Sequence, residues 1–432
     1  MQLSILNKYP YRKLIILFFF LSLLLRIVYG LYFFLKYGSS NFADDWAYIK
    51  FAEEMLRQGV FVNDISTLTQ TKSGITPFYP FIIFLSFKIF GTNYIPLIIL
   101  NAVFSSLLTV IIYFIGKYLF NEDVGVLSSM WTILYVNTIR WVPTLLKENL
   151  LQLLFALFVL CLSIYLINNR SYIMLSLMSL VFALLIHTDE RYSVYYIFLV
   201  AVIFIAEGTS LKQKILSFIY LTALILIFMM PWLIRNYEVY NRPVILSERT
   251  AYMTDKLFGY KNGNYYPQEI QISDATLDSI VKGMPIQDIT LYNLIQRGIS
   301  YGTYPEKYSR IEKLYVDFKE LWRPFRFSDM WVSEGYRPEG KWSFKHNIAI
   351  IMTYGLLLPF FIMGIFYSIK VKNKGSLIIL GLVIVHTIIH LTFILSQNRY
   401  RIPLDIIIIV FSFYGLTQII RNYLIFTNIK DG

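Results

Sequence analysis

Charge is what this sequence has least of. Only 15% of its 432 residues are Asp, Glu, Lys or Arg, against roughly 25% in a soluble domain. That excludes an ordinary water-soluble globular protein. Cysteine is nearly absent. Cys161 stands alone inside an apolar run, so no disulfide can form within one chain. Histidine is sparse too, and His187, His346, His386 and His390 have no zinc-ligand spacing with cysteine. No internal repeat or low-complexity tract is evident. The net charge of +12 never gathers into one basic patch. It recurs in short clusters between apolar runs, such as Lys212 and Lys214, or Lys370, Lys372 and Lys374. This is the pattern of cytoplasmic loops under the positive-inside rule, and it argues against a nucleic-acid partner.

What is abundant is apolar. Hydrophobic residues make up 56% of the chain, with 34 Tyr and 35 Phe, and the mean hydropathy is +0.56. These values describe an integral membrane protein in contact with membrane lipids. A spanning helix needs about 20 largely apolar residues. The first such run is Leu14–Leu35, preceded by Lys8, Arg12 and Lys13, which puts the N-terminus in the cytoplasm. The run is too long for a cleaved signal peptide and lacks a small-residue cleavage site, so it reads as an uncleaved first span.

Further runs fall at 94–119, 124–141, 145–167, 172–189, 192–207, 214–233, 347–369, 376–395 and 403–421. The expected fold is therefore all-α, with about ten transmembrane helices and both termini cytoplasmic. Lys117, Arg170, Lys212–Lys214, Lys370–Lys374 and Arg421 then share the cytoplasmic side. Arg26 interrupts the first span late and is expected to face protein, with a carboxylate as a candidate partner.

Two segments stand apart on the outer face. In 36–93, "WAYIKFAEEML" has apolar residues at helical spacing, and "PFYPFIIFLSFKIFG" is apolar but short for a span. Both read as interfacial helices. Segment 234–346 is mixed in charge and rich in Tyr and Pro, which predicts a small extracytoplasmic domain. The expected organisation is an N-terminal transmembrane module over 1–233, the extracytoplasmic segment 234–346, and C-terminal transmembrane helices over 347–432.

Several polar groups stand out at apolar boundaries. Asp44 and Asp45 follow the first span. Either can serve a helix N-terminus, where Asp is favoured, or a reaction. Adjacent helical residues point about 100° apart, so the two need not share one role. Glu148 opens an apolar run beside Lys147 and fits a headgroup-level ion pair or a site acid. "HTDERY" (187–192) carries His187, Asp189, Glu190 and Arg191 and reads as a hydrated turn or as the lining of a site. Arg399 and Arg401 flank Tyr400 before the last apolar run. Guanidinium forks match phosphate oxygens. Lys72 and Arg235 are further phosphate candidates, with snorkelling to lipid headgroups as their simpler use.

The stretches "FADDWAYIKFAEEML", "PFYPFIIFLSFKIFG", "LLKENLLQLLFAL", "PWLIRNY" and "QNRYRIPLDIIIIV" follow one another in an order that resembles the GT-C glycosyltransferases. The likeness is greatest to the branch of protein O-mannosyltransferases and lipid A aminoarabinose transferases. It spans nearly the whole chain. It implies an inverting enzyme that takes a sugar from a polyprenyl-phosphate carrier and transfers it at the extracytoplasmic face of the cell membrane. The acceptor is left open between protein, lipid and glycan.

The family's acidic pair maps onto Asp44 and Asp45 as catalytic residues. Asp44 is the candidate general base, and Asp45 its orienter, a metal ligand or an arginine partner. Lys72, Arg235, Arg399, Tyr400 and Arg401 are the candidate phosphate-binding residues, and Glu148, Asp189 and Glu190 lie in the sugar or metal vicinity. A divalent cation is a candidate cofactor; no organic cofactor is expected. Where aminoarabinose transferases have Pro-Arg-Tyr after the acidic pair, this chain has Trp46, Ala47 and Tyr48, so that sugar is not implied. A transporter or flippase, or a polymerase or ligase of lipid-linked glycans, is the alternative. The absence of paired halves with broken midplane helices counts against transport.

Overall fold

In a bilayer every backbone polar group must be satisfied within the chain, and helices do this segment by segment. The apolar runs accordingly fold as helices in the computed structural model, which describes residues 11–37, 45–59, 75–167, 171–205, 210–240, 244–247, 310–324, 348–393 and 398–430. No strand occurs among the described residues. The order is α1 (Tyr11–Tyr37), α2 (Asp45–Gln58), α3 (Phe78–Phe90), α4 (Ile95–Leu119), α5 (Glu122–Ile133), α6 (Val136–Ile139), α7 (Glu148–Ile167) and α8 (Tyr172–Thr188). A 3₁₀ turn (Glu190–Val194), α9 (Tyr195–Ile205), α10 (Leu211–Tyr240) and α11 (Arg310–Trp322) follow. The chain continues with a π turn (Ile351–Gly355), α12 (Leu357–Val371), α13 (Lys374–Phe393), α14 (Asn398–Arg401), a 3₁₀ turn (Ile402–Leu404) and α15 (Asp405–Lys430).

Seven helical stretches among the described residues are long and apolar enough to cross a membrane, so the protein is a multi-pass membrane protein. The ten expected runs all contain helix, but three form only shorter helices. They are α8, α9 and the run 124–141. The last of these is broken. α5 stops at Ile133, α6 is a single turn, and residues 140–147 loop before α7.

α1 reaches this break. Arg26 is fully buried and donates to the Thr132 carbonyl at 2.9 Å and the Ile133 carbonyl at 3.2 Å. Both belong to the last turn of α5, whose carbonyls lack the usual i+4 partners; that of Thr132 also accepts from the Tyr135 backbone at 3.4 Å. The other partners of Arg26 are the hydroxyls of Ser22, Ser105 and Thr138 and the Ser22 carbonyl. A carboxylate was expected; hydroxyls and helix-end carbonyls, which carry the negative end of the helix dipole, take its place.

The interior is built around α15. Ile406, Ile407, Ile408, Ile409, Val410 and Phe411 are all buried, as a helix apolar on every side requires. α12 crosses it at close range. A Cβ added to Gly364 would lie 2.0 Å from the Phe411 carbonyl oxygen, and one on Gly415 would lie 2.2 Å from that of Phe360. Only glycine permits this approach. α1 leaves Leu17, Phe20, Leu24 and Val28 exposed, as a peripheral span in lipid would.

The expected short helices α2 and α3 pack on each other, with Tyr48 and Tyr79 edge to face at 5.3 Å. Of segment 234–346, α11 is described, and it packs against α13 and α14.

Candidate active site

Successive helices run alternately, so their ends form two layers. The end of α4, the start of α5, the end of α12 and the length of α15 near Arg421 meet in one layer. There Lys117 pairs with Glu122, Asn373 donates to the Leu119 carbonyl and Arg421 lies 3.8 Å from Asp123. The opposite layer holds the start of α7, the end of α8 and the start of α15.

The loop 140–147 is pinned from two helices in that second layer. Asn101 of α4 donates to the Thr144 carbonyl at 2.7 Å, and Asn149 of α7 donates to the Trp141 carbonyl at 2.8 Å. This fixes Lys147 and Glu148 where α7 begins. At the end of α8, Asp189 caps the 3₁₀ turn by accepting from the Arg191 backbone. It also takes Arg191 Nε at 2.7 Å and lies 3.1 Å from Lys147 Nζ. Burial alone would raise the Asp189 carboxyl. The Arg191 guanidinium and the Lys147 ammonium outweigh that and hold it well below the usual carboxylate range.

The "NRYR" turn before α15 completes the layer. His386 of α13 donates from Nε2 to the Tyr400 carbonyl at 2.8 Å, which sets the height of this turn. The Tyr400 ring lies under the Arg191 guanidinium at 4.0 Å and near that of Arg399 at 5.1 Å. Arg399 Nη1 lies 4.0 Å from Glu148 Oε1. Glu148, Gln152, Arg191, Tyr192, His390, Arg399 and Tyr400 line one small, partly open cavity together with Leu151, Ile402 and Pro403.

The two arginines of this turn diverge. Arg399 faces the cavity. Arg401 is buried beneath it and donates to Asp405 Oδ1 at 3.0 Å and to the Leu321 carbonyl at 3.0 Å. Its guanidinium stacks on Tyr354 at 3.6 Å. Asp405 also accepts from Asn137 at 2.8 Å. Arg401 therefore joins α11, α15 and the α5–α6 break.

Asp45 opens α2 and is buried. α2 packs on α3, with Tyr48 against Tyr79; burial pushes the Tyr79 phenol up, Asn101 opposes this, and the carboxylates of Glu148 and Asp45 add to it. Thr76 donates to the Thr188 carbonyl at 2.8 Å and ties α3 to the end of α8. Asp45, Glu148, Asp189 and Arg399 thus share one end of the bundle. Glu190 turns away toward Ser247, which donates to it. Arg235 stacks on Trp232 at 4.9 Å and donates to Asn236 at 2.9 Å. Asp44 and Lys72 lie outside the described residues.

Gln152 and His390 were not candidates from sequence; Arg191 was one of the polar group at 187–192. Gln152 follows Glu148 by one helical turn inside an apolar helix, which is the available signal. Among the described residues no three His, Cys, Asp or Glu side chains gather closely enough to hold a metal ion.

Residues 74–234 match the family model of dolichyl-phosphate-mannose-protein mannosyltransferase. The GT-C resemblance is borne out. The match covers α3 to most of α10, and so includes Glu148, Gln152, Asp189 and Arg191. No curated protein sequence matches the chain.

Among solved structures, the apo oligosaccharyltransferase of Archaeoglobus fulgidus aligns with a TM-score of 0.61 at 13% identity, over 98% of this chain and 52% of that one. The archaeal oligosaccharyltransferase AglB from Archaeoglobus fulgidus, in complex with an inhibitory peptide and a dolichol-phosphate, aligns with a TM-score of 0.58 at 14% identity, over 98% and 52%. The same organism's enzyme in complex with Zn and sulfate aligns with a TM-score of 0.58 at 12% identity, over 95% and 49%. The fold is of the GT-C type. The chain spans about half the length of these neighbours.

Proposed function

We propose that this chain is an inverting membrane glycosyltransferase that moves a sugar from a polyprenyl-phosphate carrier to an acceptor at the extracytoplasmic face. The observation that carries this reading is the meeting of Glu148 and Arg399 across one cavity, at 4.0 Å. They come from different helices at the same end of the bundle. The lysines between apolar runs favour the opposite end as cytoplasmic. The family model is named for a dolichyl-phosphate-mannose donor and a protein acceptor. A neighbour of the same fold holds a dolichol-phosphate and a peptide. Both favour a protein acceptor over a lipid or glycan.

Transfer breaks the bond between the anomeric carbon and the phosphate oxygen, and the electron pair stays on that oxygen. A phosphodiester becomes a phosphate monoester with one more negative charge. Arg399 is the group that meets this charge, with Arg191 behind it on the Tyr400 ring. The acceptor oxygen forms the new bond from the opposite side of the sugar and loses its proton to a carboxylate within hydrogen-bond reach. Asp44 is that base, next to Asp45 at the start of α2. Glu148 accepts from sugar hydroxyls at the cavity wall.

The test is transfer by purified protein in nanodiscs supplied with polyprenyl-phosphate mannose and a Ser/Thr-containing peptide. Asp44→Asn should abolish transfer with unfolding behaviour unchanged, and Glu148→Gln should lower kcat/KM by about 100-fold. Full activity of Asp44→Asn would remove the base assignment. Movement of the lipid-linked sugar across liposomes with no transfer to any acceptor would replace this reading by a transporter.

A further inference from the structure

We infer that Gln152 reads the donor sugar and is a specificity-determining residue of the site; this rests on the glycosyltransferase reading above. Gln152 is 1% exposed, yet neither its Oε1 nor its Nε2 has a hydrogen-bond partner among the described residues. It sits on α7 one helical turn beyond Glu148, so the two side chains share a face. Both line the cavity that Arg399, Arg191 and His390 close from the other side.

A buried amide with nothing to bond is unfavourable in water-excluded surroundings, and more so within an apolar helix. Leucine, which surrounds it at 150, 151, 153 and 154, would fill the same volume without that penalty. The amide is accounted for if a ligand completes it. The ligand's chemistry follows from what an amide offers: one acceptor and two donors in a fixed plane. A phosphate presents acceptors only and would leave Oε1 unmet. A prenyl chain presents neither. A pair of sugar hydroxyls meets both ends. Gln152 is thereby the hydroxyl-reading group, and Arg399 the phosphate-facing one. Glu148, an acceptor when ionised, adds a second contact to the same sugar.

The experiment compares wild type and Gln152→Leu in nanodiscs, with polyprenyl-phosphate mannose, polyprenyl-phosphate glucose and the monodeoxy analogue series of each as donors. Without donor, Gln152→Leu should unfold at a temperature no lower than wild type, because an unmet amide has been removed. With donor, its kcat/KM should fall about tenfold on the preferred sugar, the scale of a lost hydrogen bond in a buried site. One monodeoxy donor should be transferred equally by both proteins, which identifies the hydroxyl that Gln152 binds. A donor-free unfolding temperature several degrees lower would make the amide structural and overturn the inference. So would wild-type kcat/KM on every donor, the result expected if the amide only holds water. A wild type that transfers neither sugar counts against the glycosyltransferase reading, and the donor-free comparison still judges the amide.

Discussion

Arg399 and Arg401 stand two residues apart, and their replacement by methionine should have opposite consequences. Arg401 and Asp405 are 2% and 1% exposed and 3.0 Å apart. Removing one member of a buried ion pair leaves the other uncompensated and costs roughly 3–5 kcal/mol. Arg401→Met would also strip the donor from the Leu321 carbonyl and the cation from the Tyr354 ring. Arg399 is 16% exposed, and its distance to Glu148 is at the outer limit of an ion pair. A pair this loosely met, at the edge of a cavity, contributes less than the close Arg401–Asp405 pair.

Arg401→Met should therefore lower the thermal unfolding midpoint and the yield of monodisperse protein. Arg399→Met should leave both within error and reduce transfer about 100- to 1,000-fold, the effect of losing one preorganised charge-stabilising group. The readouts are fluorescence-detected unfolding in one lipid composition and kcat/KM on the folded fraction. A second variant sharpens the argument. Arg401→Met combined with Asp405→Asn removes both charges but keeps an acceptor for Asn137, so it should recover much of the lost stability. If Arg401→Met unfolds like wild type, or if the double variant is no more stable than the single one, the structural assignment of Arg401 is wrong.

Two more outcomes follow from the packing and the charges. Gly364→Ala puts a Cβ 2.0 Å from a backbone oxygen of α15, which no side-chain rotation can relieve. The helices must separate, and unfolding in nanodiscs should show a loss of about 1–3 kcal/mol; an unchanged midpoint would contradict the crossing described here. Asp189 is held below the usual carboxylate range in the folded protein by Arg191 and Lys147, against the raising effect of burial. Its contribution is thus fully present above the unfolded pKa, about 3.9, and is lost as pH falls further. The difference in midpoint between wild type and Asp189→Asn should be flat from pH 5 to 8 and shrink below about pH 4.

The class of fold was legible because apolar runs have one solution in a bilayer. α2 and α3 were legible because their helical spacing and short length are local properties. Glu148 was visible as an acid opening an apolar helix. The choice between Arg399 and Arg401 was not. Residues two apart on a helix point about 200° apart, so one faces the cavity and the other the interior. Which does so depends on the phase of the turn, and that phase is set by His386, on another helix. Asp405 at i+4 from Arg401 was a visible hint of an internal pair. Gln152 was hidden because a single amide in a leucine-rich helix carries meaning only once its lack of partners is known. Asp44, the proposed base, lies outside the described residues.

The broken run at 124–141 ties these threads together. By hydropathy it is one more span. Arg26, a charge in a distant helix that would be unfavourable in lipid, is bound at the break. By binding the last carbonyls of α5, it makes an early helix end favourable there. The chain released by that end becomes the loop that delivers Lys147 and Glu148, and Asn137 in the same break holds Asp405, the partner of Arg401. One buried guanidinium thus supports both sides of the cavity without lining it. Arg26→Leu should then lower transfer beyond what its loss of stability explains, with residual activity at a temperature where the variant is fully folded as the measure. Wild-type kcat/KM in that folded fraction would separate the break from the site.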